Sequence, residues 1–423
     1  MNLTQADQGS LPQVSAALPL VGPPDAAHLR ACVRHLVFRA LETARGDGER
    51  LSVDTRLLLR PGPDPDAEGE IALGPDGVGL DSLAMMSAAT AVSRFFDLGT
   101  SGVDDHLLFA ESVGDWATLI AKHFALQGST ARITFETSGS TDAPSLVTHP
   151  LTDLCAEVAA LVGGVIPPET ARIVALCPPQ HIYGFLFTVL LPSHLDLPVL
   201  DAVAAGPGHT VRQLQRGDLV IGTPHNWQTL LDYGAALPDG VSGVTSGAPM
   251  PGALWQRATN AGLLSMTEVF GSTETGGIGA RRAADAPFTL LPHLHRDGDG
   301  VRADGRLLPL QDRFTWHDAR RFRPTGRVDH AVQVAGVNVS LQKVRAILCE
   351  SPDVADAAVR LDADRLKAFI VPADPAANET TLLAHLRAHL DGRLAPVARP
   401  RSYRFGPSLP RNAMGKLQDW SAD

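Results

Sequence analysis

The stretch from Arg132 to Thr141 reads RITFETSGST: a β-branched and aromatic run passes directly into a loop of small hydroxyl residues around one glycine. The run has strand character. Such a loop at a strand end lets backbone N–H and side-chain O–H groups converge on phosphate oxygens. Solvated turns use the same residue types, so the loop alone leaves both readings open. Downstream, short β-branched runs alternate with helical periodicity, as in parallel strands joined by crossover helices. The spacing predicts strands over 172–176, 218–221, 243–245 and 265–270, and helices around 151–162 and 227–236. Past Arg281 come turns and short strands, through HRDGDG and RADGR, up to Arg327. A βαβ-like unit then closes the chain, with helices near 340–349 and 380–390 and strands near 354–359 and 367–371. The expected fold class is α/β: a large multi-layer α/β N-terminal body, 1–328, and a small mobile α/β C-terminal lid domain, 329–423.

Upstream of the loop, residues to about Asp25 are rich in Ala, Pro, Gly and Gln and read as a loosely held arm. Helical periodicity runs from Ala26 to Arg45, then a Pro/Asp/Gly-rich stretch over 61–79 reads as loop or hairpin. A second helix is expected from Asp81 to Phe96, capped by Asp81, with Met85, Ala88, Ala89, Val92 and Phe96 on its apolar face. Across all 423 residues, 44% are hydrophobic and 19% charged, which supports real cores and excludes a disordered or fibrous chain. The net charge of −10 argues against nucleic acid or an anionic membrane as the main partner. Neither a signal peptide nor a spanning helix is recognisable, so a cytoplasmic protein is expected. Cys32, Cys155, Cys177 and Cys349 are scattered, as reduced structural thiols are. His293 and His295 would alternate on a strand, but no third metal ligand has suitable spacing.

After the first loop, four segments follow in order: PPQHIYG at 178–184, TSGAPM at 245–250, FGSTET at 270–275, and the pair TGRVDHAVQVAGVNVS and PRNAMGK near the C-terminus. Separate weak motifs in one order reinforce each other. Over about 131–418 the chain resembles the adenylate-forming superfamily of acyl-CoA synthetases, peptide-synthetase adenylation domains and luciferases. The resemblance implies ATP and Mg²⁺ as cofactors. It identifies Thr137, Ser138, Gly139, Ser140 and Thr141 as the phosphate loop, Thr273 as the α-phosphate contact and Glu274 as the Mg²⁺ ligand. Gly247, Ala248 and Pro249 correspond to the small-residue segment against which adenine lies, and Phe270 and Gly271 to neighbouring nucleotide contacts. Asp312 resembles the ribose-binding Asp, Arg327 its assisting Arg, and His181 the His beside the acyl carboxylate. Lys416 resembles the lysine bridging substrate carboxylate and ATP, and Asp329 the hinge. Lys416 is one of only four lysines (with Lys122, Lys343 and Lys367) among 36 basic residues, which suits a place that needs a compact charge. Lys367 is expected on the surface.

The chain also departs from the family pattern. Asp142 replaces a Gly and Ser145 a Lys in the continuation of the phosphate loop, weakening attraction for departing pyrophosphate. Asn338 stands where a basic residue is frequent, and His149 is a candidate for part of the missing positive charge. A second resemblance covers Leu80, Asp81, Ser82 and Leu83, with the helix ending at Phe95 and Phe96. It is to an acyl carrier protein around its phosphopantetheine serine, within a helical part spanning 26–127. The preferred reading is that Asp81 only caps a helix that completes the large domain's core.

The function expected on this resemblance is an ATP-dependent, AMP-forming acid–thiol ligase. Its partners would be a small aryl acid, hydroxybenzoate-like, and the phosphopantetheine thiol of an acyl carrier protein or coenzyme A. The compact body resembles bacterial ligases that start aryl-polyene pigments from a hydroxybenzoate. The alternative is a catalytically degenerate fold acting as an acyl or nucleotide binder, or as a self-loaded carrier.

Overall fold

The computed structural model describes residues 21–45, 71–74, 77–136, 145–234, 236–327, 331–410 and 418–421. The chain divides into two compact units. The larger comprises Met1–Phe135, Leu146–Leu310 and Thr315–Arg323, the smaller Glu136–Ser145, Gln311–Phe314 and Pro324–Asp423.

The larger unit begins with helices α1 (Ala26–Arg45), α2 (Ser82–Phe96) and α3 (Val113–Gln127). Asp81 caps α2 as expected, its carboxylate accepting from Ala84 N–H at 2.8 Å. Ala88, Ala89, Val92, Phe95 and Phe96 form the buried face; Met85 is only half-buried. This face does not close on its own helices alone. Phe95 meets Phe135 at 5.3 Å and Phe185 at 5.8 Å between ring centroids, both from the α/β body. Helix α1 is tied to the body by polar contacts too: His35 Nε2 and Arg34 both reach the buried Asp201 carboxylate, at 3.0 and 3.2 Å. Burial alone would raise the Asp201 pKa, but the His35 hydrogen bond and the Arg34 guanidinium help bring it below the usual carboxylate value.

Strands β1 (Arg132–Glu136) and β2 (Leu146–Pro150) form a two-stranded sheet. Helix α4 (Leu151–Gly164) follows. The main sheet uses β3 (Arg172–Ala175), β4 (Val199–Asp201), β5 (Asp218–Gly222), β6 (Ser242–Thr245), β7 (Ser265–Ser272), β8 (Gly276–Arg281) and β9 (Phe288–Leu290). Their order is β9-β8-β7-β6-β5-β3-β4, and β4 through β7 are parallel neighbours. Both β5 and β6 are buried along their whole length, as strands covered on two faces must be. Trp227, Leu230, Leu254 and Met266 build a core on one flank. The helix expected around 227–236 begins earlier, at Pro224, because Thr223 and Asn226 form a reciprocal capping box. His293 lies in a turn and only His295 is on the strand Leu294–Asp297, so the two do not alternate along one strand; the Leu294 N–H to Leu291 carbonyl bond closes that turn at 3.0 Å.

In the smaller unit, Ala331–Val334 and Val337–Ser340 make a hairpin whose two-residue turn has positive φ at Ala335 and Gly336. The strands Val354–Asp362 and Arg365–Pro372 are antiparallel neighbours. The βαβ element is Arg365–Pro372, the helix Glu379–Leu390 and a further strand, Ser402–Phe405, parallel to the first. Lys367 corrects its sequence reading. It is buried, with Nζ donating to Trp420 O at 2.7 Å and 3.1 Å from an Asp419 carboxylate oxygen. No helix among the described residues is long and apolar enough to cross a membrane.

Candidate active site

The parallel strands β3, β5, β6 and β7 all end at one edge of the sheet, where open α/β sheets bind ligands. From β3 the chain passes through Cys177–Gln180 to His181, the residue before the helix Ile182–Phe185. Tyr183 ties this helix to the sheet edge: its hydroxyl donates to Val244 O at 3.0 Å and lies 3.3 Å from Gly222 O. The helical path continues through a buried π turn, Leu186–Leu190, ahead of Pro192, a geometry often found at functional sites.

From β6 the chain enters Ser246–Met250. Ser246 Oγ donates to Val269 O at 2.8 Å, and Met250 N–H reaches Glu268 Oε1 at 3.2 Å, so the segment is anchored at both ends. Between the anchors, Gly247 takes φ +86°, which favours glycine. Gly247 and Pro249 are exposed and Ala248 half-buried, leaving a low ledge of small residues.

The turn between β7 and β8 carries Thr273 and Glu274. Thr275 Oγ1 accepts from Ser272 N–H at 3.2 Å and lies 3.1 Å from Ser272 Oγ. His149 Nε2–H donates to Thr273 O at 2.7 Å. Burial depresses the His149 pKa despite this hydrogen bond, so the imidazole is neutral at pH 7. His149 therefore supports the turn and does not supply the positive charge expected of it. Beneath the turn, Gly277 N–H donates to Glu157 Oε1 of α4 at 2.8 Å. Phe270 packs against Phe288 and Phe322, at 5.4 and 5.8 Å between ring centroids.

The larger unit thus holds His181, Gly247–Pro249 and Phe270–Glu274 at the ends of β3, β6 and β7, with β5 between the first two. Asp312 opens the strand Asp312–Trp316 and belongs to the smaller unit. Arg327 ends the strand Arg321–Arg327, its side chain outside the described part. Thr137, Ser138, Gly139, Ser140, Thr141, Asp142, Asp329 and Lys416 also lie outside the described residues. Glu274 is half-exposed, and among the described residues no three His, Cys, Asp or Glu side chains cluster as a metal cage. One carboxylate beside a hydroxyl fits a Mg²⁺ that keeps its waters and arrives with nucleotide phosphates. Sequence reasoning gave Glu157 no place; with Asp153 it is one of two acidic residues in a helix otherwise rich in Ala, Val and Leu and without a basic residue.

The AMP-binding enzyme C-terminal domain matches residues 343–416. A Rhodobacter capsulatus protein named 4-coumarate–CoA ligase is 44% identical over 364 residues, covering 85% of this chain and 94% of its own. A Halorhodospira halophila protein of the same name is 38% identical over 402 residues, covering 91% and 97%. A solved malonyl-CoA ligase with methylmalonyl-CoA and AMP bound superposes with a TM-score of 0.52 at 24% identity, over 66% of this chain and 71% of that one; the likeness is one of fold.

Proposed function

The chain belongs to the adenylate-forming ligases, as an ATP-using, AMP-forming acyl-activating enzyme, and from that premise we propose that it activates a small hydroxylated aryl acid and passes the acyl group to a pantetheine thiol. The observation that carries the reading is the near full-length identity to proteins named 4-coumarate–CoA ligase. That name favours a 4-hydroxycinnamate over the hydroxybenzoate of the aryl-polyene reading, and coenzyme A over a carrier protein.

In the proposed reaction the carboxylate attacks the α-phosphorus in line and pyrophosphate leaves. The thiol then attacks the acyl-adenylate and releases AMP. The protein's part is positioning and charge stabilisation. Adenine lies on the ledge of Gly247, Ala248 and Pro249, beside Phe270 and Gly271. Asp312 and Arg327 take the ribose. The loop Thr137–Thr141 takes the outer phosphates and Thr273 the α-phosphate. Glu274 holds Mg²⁺, which when bound neutralises phosphate charge. His181 orients the acyl carboxylate, and Lys416 bridges it to the α-phosphate during adenylation only. Asp329 is the hinge between the two half-reactions.

Acid-dependent exchange of labelled pyrophosphate into ATP tests the reading across 4-hydroxycinnamates, hydroxybenzoates and fatty acids, followed by thioester formation with coenzyme A or a carrier protein. Exchange should be fastest with a 4-hydroxylated aryl acid. Lys416→Ala should slow it about a hundredfold, the order of losing one oxyanion donor, while sparing thioester formation from a prepared adenylate. Absence of exchange with every aryl acid, or faster exchange with a long-chain fatty acid, overturns the reading.

A further inference from the structure

The central strand of the smaller unit's three-stranded sheet, Arg365–Pro372, is covered on its two faces by different parts of the chain. Leu366, Ala368 and Ile370 point into the core built with the helices Leu341–Cys349 and Glu379–Leu390. Lys367 and Phe369 point the other way, where Trp420 is the cover. Phe369 meets the Trp420 ring edge-on at 5.7 Å between centroids, and the Arg360 guanidinium and the Lys367 ammonium each lie 5.5 Å from that ring. Lys367 is 4% exposed, and a buried ammonium is tolerated only where its donors are met. Its Nζ donates to Trp420 O at 2.7 Å and stands 3.1 Å from Asp419 Oδ1 and 3.8 Å from Asp362 Oδ1. Asp419 Oδ1 also accepts from Arg360 Nη1 at 3.3 Å. Three acceptors around one point suit a compact ammonium better than a planar guanidinium, which accounts for a lysine in a chain whose basic residues are mostly arginine.

What this cluster holds is the chain on both sides of Lys416. Gln418 N–H donates to Pro410 O at 2.8 Å, and the seven residues 411–417 stand between them in the sequence. Leu409, before that segment, and Trp420, after it, pack on the same face of the sheet. Lys416 is two residues from Gln418, so its Cα stands within about 7 Å of an anchored point.

We propose that Lys367 is a positioning residue for adenylation: by clasping Asp419 and Trp420 to the sheet, it fixes the point from which Lys416 reaches the reacting carboxylate and α-phosphate. The inference rests on the role given to Lys416 above. A charged donor aimed before the reaction stabilises the transition state without further reorganisation. Tying both ends of residues 411–417 also reduces the conformational freedom that Lys416 loses when it engages the substrate. Lys367 itself touches neither substrate nor nucleotide in this scheme, so its whole effect passes through Lys416.

The experiment compares Lys367→Met with the wild type, each with and without Lys416→Ala, using the acid that gives the fastest pyrophosphate exchange. Exchange reports adenylation, and thioester formation from the prepared adenylate of the same acid with coenzyme A reports the second step. Lys367→Met should lower kcat for exchange about tenfold, with KM for ATP little changed, and should spare thioester formation. In the Lys416→Ala background it should cause no further loss, because the side chain it aims is gone. Equal loss of both steps, or the same tenfold loss in the Lys416→Ala background, would show a lysine that only stabilises the smaller unit and would overturn the proposal. Should Lys367→Met not fold, Asp419→Ala decides, at a side chain 65% exposed. About a threefold loss of exchange, absent in the Lys416→Ala background, supports the clasp, and no loss overturns it. Lys416→Ala as active as the wild type would overturn the functional reading at that residue and the proposal with it, whereas a Lys416→Ala defect that neither clasp variant shares would overturn only the role of Lys367.

Discussion

Two carboxylic acids are buried against adjacent strands of the main sheet, and the sheet treats them differently. Glu268 on β7 sits opposite Arg281 on β8, accepting from Nε at 2.9 Å and Nη2 at 2.8 Å. Its other oxygen takes the Met250 N–H, and the guanidinium lies 4.6 Å over the Phe288 ring. Every polar group there has an internal partner. Glu157 has a single backbone N–H and two glycines beside it. The fully partnered carboxylate is held by a cation and a backbone N–H, whereas the singly partnered one, packed on Gly276 and Gly277, is held protonated by its burial.

The largest expected effect breaks the complete pair. Glu268→Ala should cost about 3–5 kcal/mol of unfolding free energy, because it strands the Arg281 guanidinium in a buried place. Replacing both residues by apolar ones of similar volume should recover much of the loss. Equilibrium denaturation measures both, and a loss below about 1 kcal/mol for Glu268→Ala would mean that Arg281 finds water and that the pair is not scaffold.

The second effect sharpens the contrast through pH. Glu157 has a folded pKa of about 8 against 4.5 for a free side chain. Between those values the unfolded chain has released this proton and the folded chain keeps it, so the group's contribution to stability falls as pH rises. The slope is about 1.4 kcal/mol per pH unit within that window, and it flattens outside it. Glu157→Gln should remove the slope, being more stable than the wild type near pH 7 and no more stable below pH 4.5. Parallel stability curves for the two proteins would show that the carboxyl is ionised and solvated.

How much of this was readable beforehand follows from what each residue's neighbours are. Strands β5 to β7 announce themselves because burial on two faces selects unbroken β-branched and small residues. The strand Ser402–Phe405 went unread because its four residues, SYRF, set one hydroxyl and one charge between two rings and show no apolar run. The segments 245–250 and 270–275 stood out through their glycines and hydroxyls, whose spacing survives without knowledge of the fold. Glu157 and Lys367 did not, since the contacts that bury them come from residues 120 and 53 positions away. A local pattern assigns a charge to solvent by default, and only the packing shows otherwise.

A third effect concerns the turn above Glu157. Thr275→Val keeps the shape and removes the Oγ1 bonds to Ser272 and to the Gly276 carbonyl. Loss of stability should be about 1 kcal/mol, while pyrophosphate exchange falls about tenfold, because Thr273 and Glu274 lose their fixed aim. Unchanged exchange would mean that His149 and Glu157 hold the turn without help.

The smallest effect is expected at Ser82, where the helical region is compared with the body it covers. Its surroundings would suit a carrier's attachment site: Leu83 and Phe109 are 72% and 84% exposed, and Ser82 opens a capped helix. Yet the buried face of α2 ends in Phe95 and Phe96, whose rings pack on Phe135 and Phe185 of the α/β body, and α1 is pinned to β4 through Asp201. An autonomous carrier closes its own core and swings free, whereas this region shares its core with the sheet beneath. Ser82→Ala should therefore change stability by less than about 0.5 kcal/mol and leave exchange and thioester formation intact. Intact mass after treatment with a phosphopantetheinyl transferase and coenzyme A should stay unchanged. A quantitative mass increase that Ser82→Ala abolishes would make the region a carrier in spite of its shared core, and the chain would then load its own thiol.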